Sequence, residues 1–200
     1  MIGEGAAAAA AGAGGVPDIR NTAFLRSDRL SLWPLSTRDA RSLLEMDRSD
    51  LVARWLLDDR LQNLMQAYLL IDWMRAFYER CPGLGAWAAR DGEDRFVGIY
   101  SLMPVEDSDD IEIGARLLPE FWNGGLAVEM GRHLCRHAFV DLALPRLISL
   151  CDPRHLSVPS VLARLGFQAT GATVHFGKPA LGFVQYRDAW MQGGQPAPNP

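Results

Sequence analysis

Between Ile111 and Leu142 the chain passes from a strand-like run, "IEIGARLL", to a helix-like run beginning at Leu126, across the short stretch "PEFWNGG". Such a change of hydrophobic period forces a sharp strand-to-helix connection, and two adjacent glycines, Gly124 and Gly125, supply the backbone freedom it needs. The turn admits two readings. It is a tight connection with no ligand, or its side-chain-free residues let an anion approach the unsatisfied N–H groups and dipole of the following helix. No Lys-Ser/Thr follows the glycines and no G-x-G-x-x-G is present, so neither a Walker loop nor a dinucleotide fingerprint accounts for it.

The flanking sequence predicts a mixed α/β domain. "DRLSLWPL", Asp28 to Leu35, alternates as a strand. Ser36 stands three residues before Asp39, as in a capping box, and Ala40, Leu43 and Leu44 then form a helical apolar stripe. Leu51 to Arg80 reads as two helices stopped by "CPGLG". "AWAARDGEDRFVGIYSL" reads as a hairpin, "PRLISLCD" as a buried strand, "PSVLARLGF" as a short helix ending at Gly166, and the remainder as strand-rich. Strand, helices, three strands, helix, strand, helix, strands imply one sheet with helices on its faces.

Two hundred residues suit one domain, and 48% apolar with 22% charged residues is ordinary for a globular protein. A net charge of −4 provides no basic field for nucleic acid or an anionic membrane. The most apolar stretch, Leu61 to Tyr78, is interrupted by Gln62, Asn63, Gln66, Asp72 and Arg75, which excludes a membrane span there. Cys81, Cys135 and Cys151 are odd in number and lack metal-like spacing, as expected of buried thiols in a reducing cytoplasm. The Ala/Gly-rich leader, residues 1–20, has no basic segment and carries Glu4, so it is read as a disordered leader rather than a signal peptide. Residues 192–200 read as a floppy tail, leaving 21–191 as the folded body.

Taken together, "IEIGARLLPEFWNGGLAVEM" and "LISLCDPRHLSVPSVLARLGF" resemble the acyl-CoA-binding half of a GNAT N-acetyltransferase, and most of all its ribosomal-protein-type (RimJ/RimL-like) branch. "DRLSLWPLSTRDARSLL" is similar to that branch's first strand and helix, and "VQYRDAW" to its closing strand. The resemblance implies a single GNAT-like domain with a mixed, mostly antiparallel sheet splayed at the cofactor site. It also implies acetyl-CoA as co-substrate, no metal, and an amine acceptor, either a protein N-terminus or a small molecule, with the enzyme a monomer or homodimer. Asn123, Gly124, Gly125, Leu126 and Ala127 would offer N–H groups to the CoA pyrophosphate, and Leu117 and Leu118 would pair by main chain with the pantetheine arm. His155 takes the place of the family asparagine beside the pantetheine, and Arg164 that of the lysine before Leu-Gly-Phe. The family serine falls on Val158, with Ser157 displaced by one, and Asn123 replaces the first glycine of the turn.

Amine acetylation requires loss of a proton from the amine, a donor to the developing oxyanion and relief of charge on the leaving thiolate. Glu112, on the strand leading to the cofactor, is the candidate base; Ser157 and Tyr186 are candidate acids. Each has a plain structural alternative: a surface carboxylate, a helix N-cap and a packed ring. His133 and His137, four apart on one helix, read as part of a solvated face rather than a metal site. Trp55, Trp73 and Tyr78 are core residues or walls of an acceptor pocket, and the acidic run Glu106 to Asp110 is a solvated loop or an attractor of cationic substrate. Two other functions remain open: an acyl-CoA-binding module without transfer chemistry, which the altered His155–Val158 segment favours, and an interaction domain without cofactor.

Overall fold

The computed structural model describes residues 22–106 and 108–193. The expected leader and most of the expected tail lie outside the described residues, whereas Gln192 closes the last helix. The strands are β1 (Leu25–Arg26), β2 (Ser31–Pro34), β3 (Gly85–Arg90), β4 (Phe96–Pro104), β5 (Ile111–Leu117), β6 (Arg146–Cys151), β7 (Gln168–His175) and β8 (Lys178–Tyr186). They form one eight-stranded sheet in the order β1-β2-β3-β4-β5-β6-β8-β7, antiparallel at every junction except β5 with β6. The helices are α1 (Ala40–Arg48), α2 (Asp50–Ala53), α3 (Leu64–Arg80), α4 (Leu126–Arg136), α5 (Ser157–Arg164) and α6 (Arg187–Gln192).

Side-chain alternation on β5 assigns the helices to opposite faces. Arg116 reaches Asp47 at the end of α1, 2.7 Å away, so Glu112, Gly114 and Arg116 look toward α1. Ala115 is paired with Tyr100 of β4, whose hydroxyl donates to the Leu126 carbonyl at 2.8 Å, so the other face carries α4. Gly131 of α4 approaches the Leu165 side chain closely enough that a Cβ there would lie 2.9 Å from it, which places α5 beside α4. The core lies on both sides of β3 to β5, with Leu32, Trp87, Tyr100 and Leu102 on the strands and Leu43, Ile71, Met74, Met130, Leu134 and Phe139 from the helices.

The capping box forms as its sequence predicts. The Ser36 amide and hydroxyl both donate to Asp39 Oδ2, at 2.8 and 2.9 Å. Asp39 is buried and its other oxygen accepts from the Arg90 guanidinium at the end of β3, so one carboxylate starts a helix and ties it to the sheet. Helix α2 is a single turn, shorter than the periodicity suggests; Asp58, Asp59 and Arg60 have too few apolar neighbours to bury, and residues 54–63 run as an irregular segment. The closing run is also shorter than the resemblance implies, because "RDAW" turns into α6.

His137 departs from the expectation of a solvated face. The helix widens at its end into a π turn, His137–Asp141, which turns this ring inward. Its Nδ1 lies 3.0 Å from Asp141 and its Nε2 3.0 Å from the Gly83 carbonyl. No helix of the described residues is long and apolar enough to cross a membrane.

Arg90 also binds Asp94, through its carbonyl at 2.9 Å and its carboxylate at 3.6 Å, so losing the Asp39 charge leaves it one partner and costs about 1.5–3 kcal/mol, the worth of a hydrogen bond to a charged group. Asp39→Asn is therefore expected to lose stability on that scale in urea unfolding, with α1 detaching first from β3 by hydrogen exchange.

Candidate active site

The site grows from the point where β5 and β6 separate. The two strands share one register position, Glu112 with Ile148. Beyond it the second half of β5 has β4 on one side only. Antiparallel pairing alternates the direction of main-chain groups, so Ile113, Ala115 and Leu117 turn theirs away from β4. Ile113 O accepts the Ser149 hydroxyl at 3.0 Å and Leu117 O accepts Trp122 Nε1–H at 2.8 Å. Ala115, exposed between them, faces the opening. Leu118 differs from the role its resemblance implies: its N–H donates to Val97 O at 2.9 Å and its carbonyl accepts from Phe121 at 3.0 Å. Of the expected pair, only Leu117 turns main chain toward the gap.

On the α4 face lies the glycine turn. Gly125, the N-cap of α4, adopts a left-handed conformation at φ 78°, and its carbonyl accepts from Val128 at 3.1 Å and Glu129 at 3.0 Å. Asn123 is left-handed too, at φ 61°. Asparagine is among the few side chains that enter this region readily, so it can stand where the family has glycine. Around Gly124 the space is open, with the nearest atom 3.8 Å from where a Cβ would sit. The N–H groups of Leu126 and Ala127, in the first turn of α4, have no carbonyl within the helix to meet.

A cation stands at this turn that the motif alone does not reveal. The Arg29 guanidinium comes within 3.8 Å of a Cβ position on Gly125. It is held by Glu129 through Nε at 2.6 Å, while Ser27 Oγ and the Arg29 amide bind the same carboxylate at 2.7 and 3.0 Å. Partial burial acts to raise the Glu129 carboxyl, but the bonds from Ser27 and from the Arg29 amide and guanidinium outweigh it and hold the group below its usual range. The signal was present in sequence only as an unremarkable "SDRL" and the first-turn acid of the helix.

On the opposite face the carboxyl of Glu112 is pushed up from 4.5 to about 7. Burial is the main cause; the Leu150 amide, which donates to it, opposes the shift and the nearby Asp58 charge adds to it. Glu112 is thus neither a free surface acid nor part of the cradle, but a desolvated carboxyl across the opening from it. Arg116 on the same face binds Asp47 at 2.7 Å and Asp58 at 2.9 and 3.0 Å. The segment 54–63 lies over this face, and a recess of about 460 Å³ beside it is lined by Asp58, Asp59, Gln62, Gln66 and Lys178, among others.

The remaining predicted residues divide. His155 lies in the connection from β6 to α5 and Ser157 opens α5, with Nδ1 and Oγ 3.0 Å apart, and the His155 ring packs on Trp55 with centroids 4.5 Å apart. Ser157 is not an N-cap, since Leu156 holds that position. Arg164 is exposed in the last turn of α5. Tyr186 pairs with Arg146 at the far end of β6, five residues before Cys151, about 16 Å along the strand, and lines a separate recess. It does not join the group. Tyr78 is core, its hydroxyl bonded to the main chain of Leu35 and Ala86. Trp73 stacks on Phe77 and is part exposed. Among the described residues no cluster of three or more His, Cys, Asp or Glu suits a metal ion.

A splayed β5–β6 junction with a glycine turn at its mouth defines a class of acyl-CoA-dependent acyltransferases, and the comparisons agree. Residues 29–168 match the acetyltransferase (GNAT) domain, and the chain belongs to this family of acetyl-CoA-dependent acyltransferases. It is 27% identical over 191 residues to the FsC-acetyl coenzyme A-N(2)-transacetylase of Aspergillus fumigatus, covering 86% of this chain and 80% of that one. The ribosomal-protein α-N-acetyltransferase RimL in complex with coenzyme A has a similar fold, with a TM-score of 0.70 at 15% identity over 84% of this chain and 99% of RimL. So does spermidine N-acetyltransferase from Vibrio cholerae in complex with CoA and spermine, with a TM-score of 0.66 at 11% identity over 81% and 98% of the two chains.

The raised pKa of Glu112 has a consequence for stability. Between pH 4.5 and about 7 the folded chain binds more protons at this carboxyl than the unfolded chain, so its contribution to stability falls as pH rises through that window. Glu112→Gln is expected to melt above the wild type at pH values beyond 7, with the difference closing below pH 4.5, as thermal scans across the window would record.

Proposed function

We propose that this protein transfers the acetyl group of acetyl-CoA to a primary amine by direct attack on the thioester. The observation that carries this reading is the pairing, across one opening in the sheet, of a backbone anion cradle with a carboxyl poised near neutrality. The residues present fit the cofactor. Left-handed Gly125 and Asn123 leave open space before α4, and Arg29 adds positive charge at the same turn. Asn123, Gly124, Gly125, Leu126 and Ala127 hold the pyrophosphate by main-chain N–H groups, and Leu117 pairs with the pantetheine arm where β6 has left β5.

When bound, acetyl-CoA supplies an acyl group activated as a thioester. The Ala115 amide, facing the gap, is placed to donate to the carbonyl oxygen as charge gathers there. Glu112, from the α1 face, takes a proton from the amine directly or through one water. Its pKa of about 7 lets it be ionised in part at neutral pH yet remain a stronger base than an ordinary carboxylate. Ser157 lies at the exit from β6 and offers a hydroxyl to the departing sulfur. Arg164, exposed on α5, is assigned to the cofactor by resemblance.

The acceptor is a protein α-amine or a small-molecule amine. The acidic segment around Asp58 and Asp59 supports a cationic substrate in either case. The likeness to RimL supports the ribosomal-protein-type branch, and that to the spermidine enzyme supports a small amine. Cys81, Cys135 and Cys151 are all unpaired, which supports work in the reducing cytoplasm.

Coenzyme A is expected to raise the melting temperature, as any ligand selective for the folded state does. Gly125→Asp removes that shift while leaving the domain folded, because its carboxylate faces the pyrophosphate and its Cβ is strained at φ 78°. An unshifted melt of the wild type at millimolar CoA, with no heat by calorimetry, refutes the cofactor assignment. On a substrate found by CoA release with a panel of amines, Glu112→Gln lowers kcat/KM by roughly 10²-fold and flattens the acidic limb of the pH profile, with CoA affinity kept. Binding without release on any amine would instead identify an acyl-CoA-binding module.

A further inference from the structure

Trp55, His155 and Ser157 belong to three different expectations in the sequence and come together at the mouth of the opening. Trp55 emerges from α2 on the α1 face; His155 and Ser157 follow β6 as the chain turns toward α5 on the other. The indole and imidazole rings lie 4.5 Å apart at 40°, and the far side of the imidazole carries the 3.0 Å contact from Nδ1 to Ser157 Oγ. The His155 amide is tied to Asp152 O at 2.9 Å, so the ring is fixed at its base as well as on its face.

We propose that His155 is a positioning residue: it holds the Ser157 hydroxyl toward the leaving sulfur, and Trp55 sets the plane of its ring. This rests on the acetyl-transfer reading above. For Ser157 to donate to sulfur its own hydrogen must be free, so the contact must run from Nδ1–H to Oγ. That selects the Nδ1–H tautomer and gives a chain of two hydrogen bonds in which each polarises the next. Glu112 takes one proton from the attacking amine as the N–C bond forms. The Ser157 O–H stabilises the electron pair left on sulfur as the C–S bond breaks, and solvent returns a proton to the thiolate.

The surroundings keep the imidazole neutral. Burial against Trp55 lowers the His155 pKa below 6.5, and the Arg54 guanidinium, 5.0 Å over the other side of the indole, acts in the same sense. A hydrogen bond of the ring to its own main chain and the Asp152 charge oppose them, and the Asp152 carboxylate is bound by Arg154 at 2.7 and 3.0 Å. The neutral ring donates to Ser157 as its Nδ1–H tautomer; an imidazolium would donate there too, but would place a charge beside the thioester.

The test compares the wild type with His155→Ala, His155→Asn, Ser157→Ala and the Ala double variant, using acetyl-CoA with spermidine and with a short peptide bearing a free N-terminus. His155→Ala and Ser157→Ala each lower kcat by roughly ten-fold, the worth of one hydrogen bond. The double variant loses no more than Ser157→Ala alone, because His155 acts through Ser157. His155→Asn, whose amide donates from nearly the same place, recovers most of the loss, and calorimetric affinity for CoA is unchanged in Ser157→Ala. Independently of turnover, protonation of His155 quenches Trp55, so the wild type shows a fluorescence step below pH 6.5 that both His155→Asn and Trp55→Phe lack. Losses that add in the double variant, full kcat in His155→Ala, or a fluorescence step that survives Trp55→Phe each overturn the role of His155 alone. CoA binding with no turnover by the wild type on either amine overturns the transfer reading and this role with it.

Discussion

The site depends on a single parallel pairing that is allowed to fail. Strands β5 and β6 meet at Glu112 and Ile148 and then part, and no other junction of the sheet does so. Elsewhere an unpaired stretch of central strand would be a defect, since buried main-chain groups need partners. Here Ser149 and Trp122 take the carbonyls on either side of Ala115, so the groups left facing the gap are few and placed. The separation also connects the faces of the sheet: what α4 holds on one side can be reached by Glu112 from the other.

Close packing at the neighbouring β4–β5 junction keeps the gap in place. Gly98 adopts φ 153° and pairs with Leu117, and a Cβ on it would fall 2.1 Å from the Arg116 carbonyl. The two strands can therefore approach at their open ends only because residue 98 has no side chain. Charge supports the same geometry: Arg116, partly buried on β5, is satisfied by Asp47 from α1 and Asp58 from the following segment. Of these two acids, Asp58 also bears on Glu112, its charge adding to the reluctance that burial gives that carboxyl to ionise.

Much of this was legible in the sequence because it was local. The glycine turn, the capping box at Ser36 and Asp39, and the alternation of "IEIGARL" each depend on neighbours within a few residues, and each forms where expected. The departures at the site were mostly matters of distant partners. Nothing in "HLCRHAF" tells that a π turn would bury His137 against Gly83, more than fifty residues away. The face of Glu112 followed only once Arg116 was seen to reach α1, and the pairing of Trp55 with His155 joins residues a hundred positions apart. Leu118 was placed by resemblance alone, and its main-chain groups are taken on two sides: the N–H by Val97 of β4 and the carbonyl by the turn that follows.

The segment between α2 and α3 is attached to the body by Trp55 on His155, Asp58 on Arg116, the Leu61 amide on Asp47 at 2.9 Å, Arg48 on the Gln62 carbonyl at 3.2 Å, and the Leu56 and Asp58 carbonyls on Lys178 at 3.4 and 3.2 Å. It carries no strand, and Leu56 and Leu61 pack against the core only partly buried; it forms one wall of the recess that Gln66 and Lys178 also line. Its length and side chains are thus separable from folding in a way that those of β5 are not. An ancestral scaffold of this kind can exchange that wall as a cassette and explore new amines, while the machinery that grips the thioester is inherited untouched.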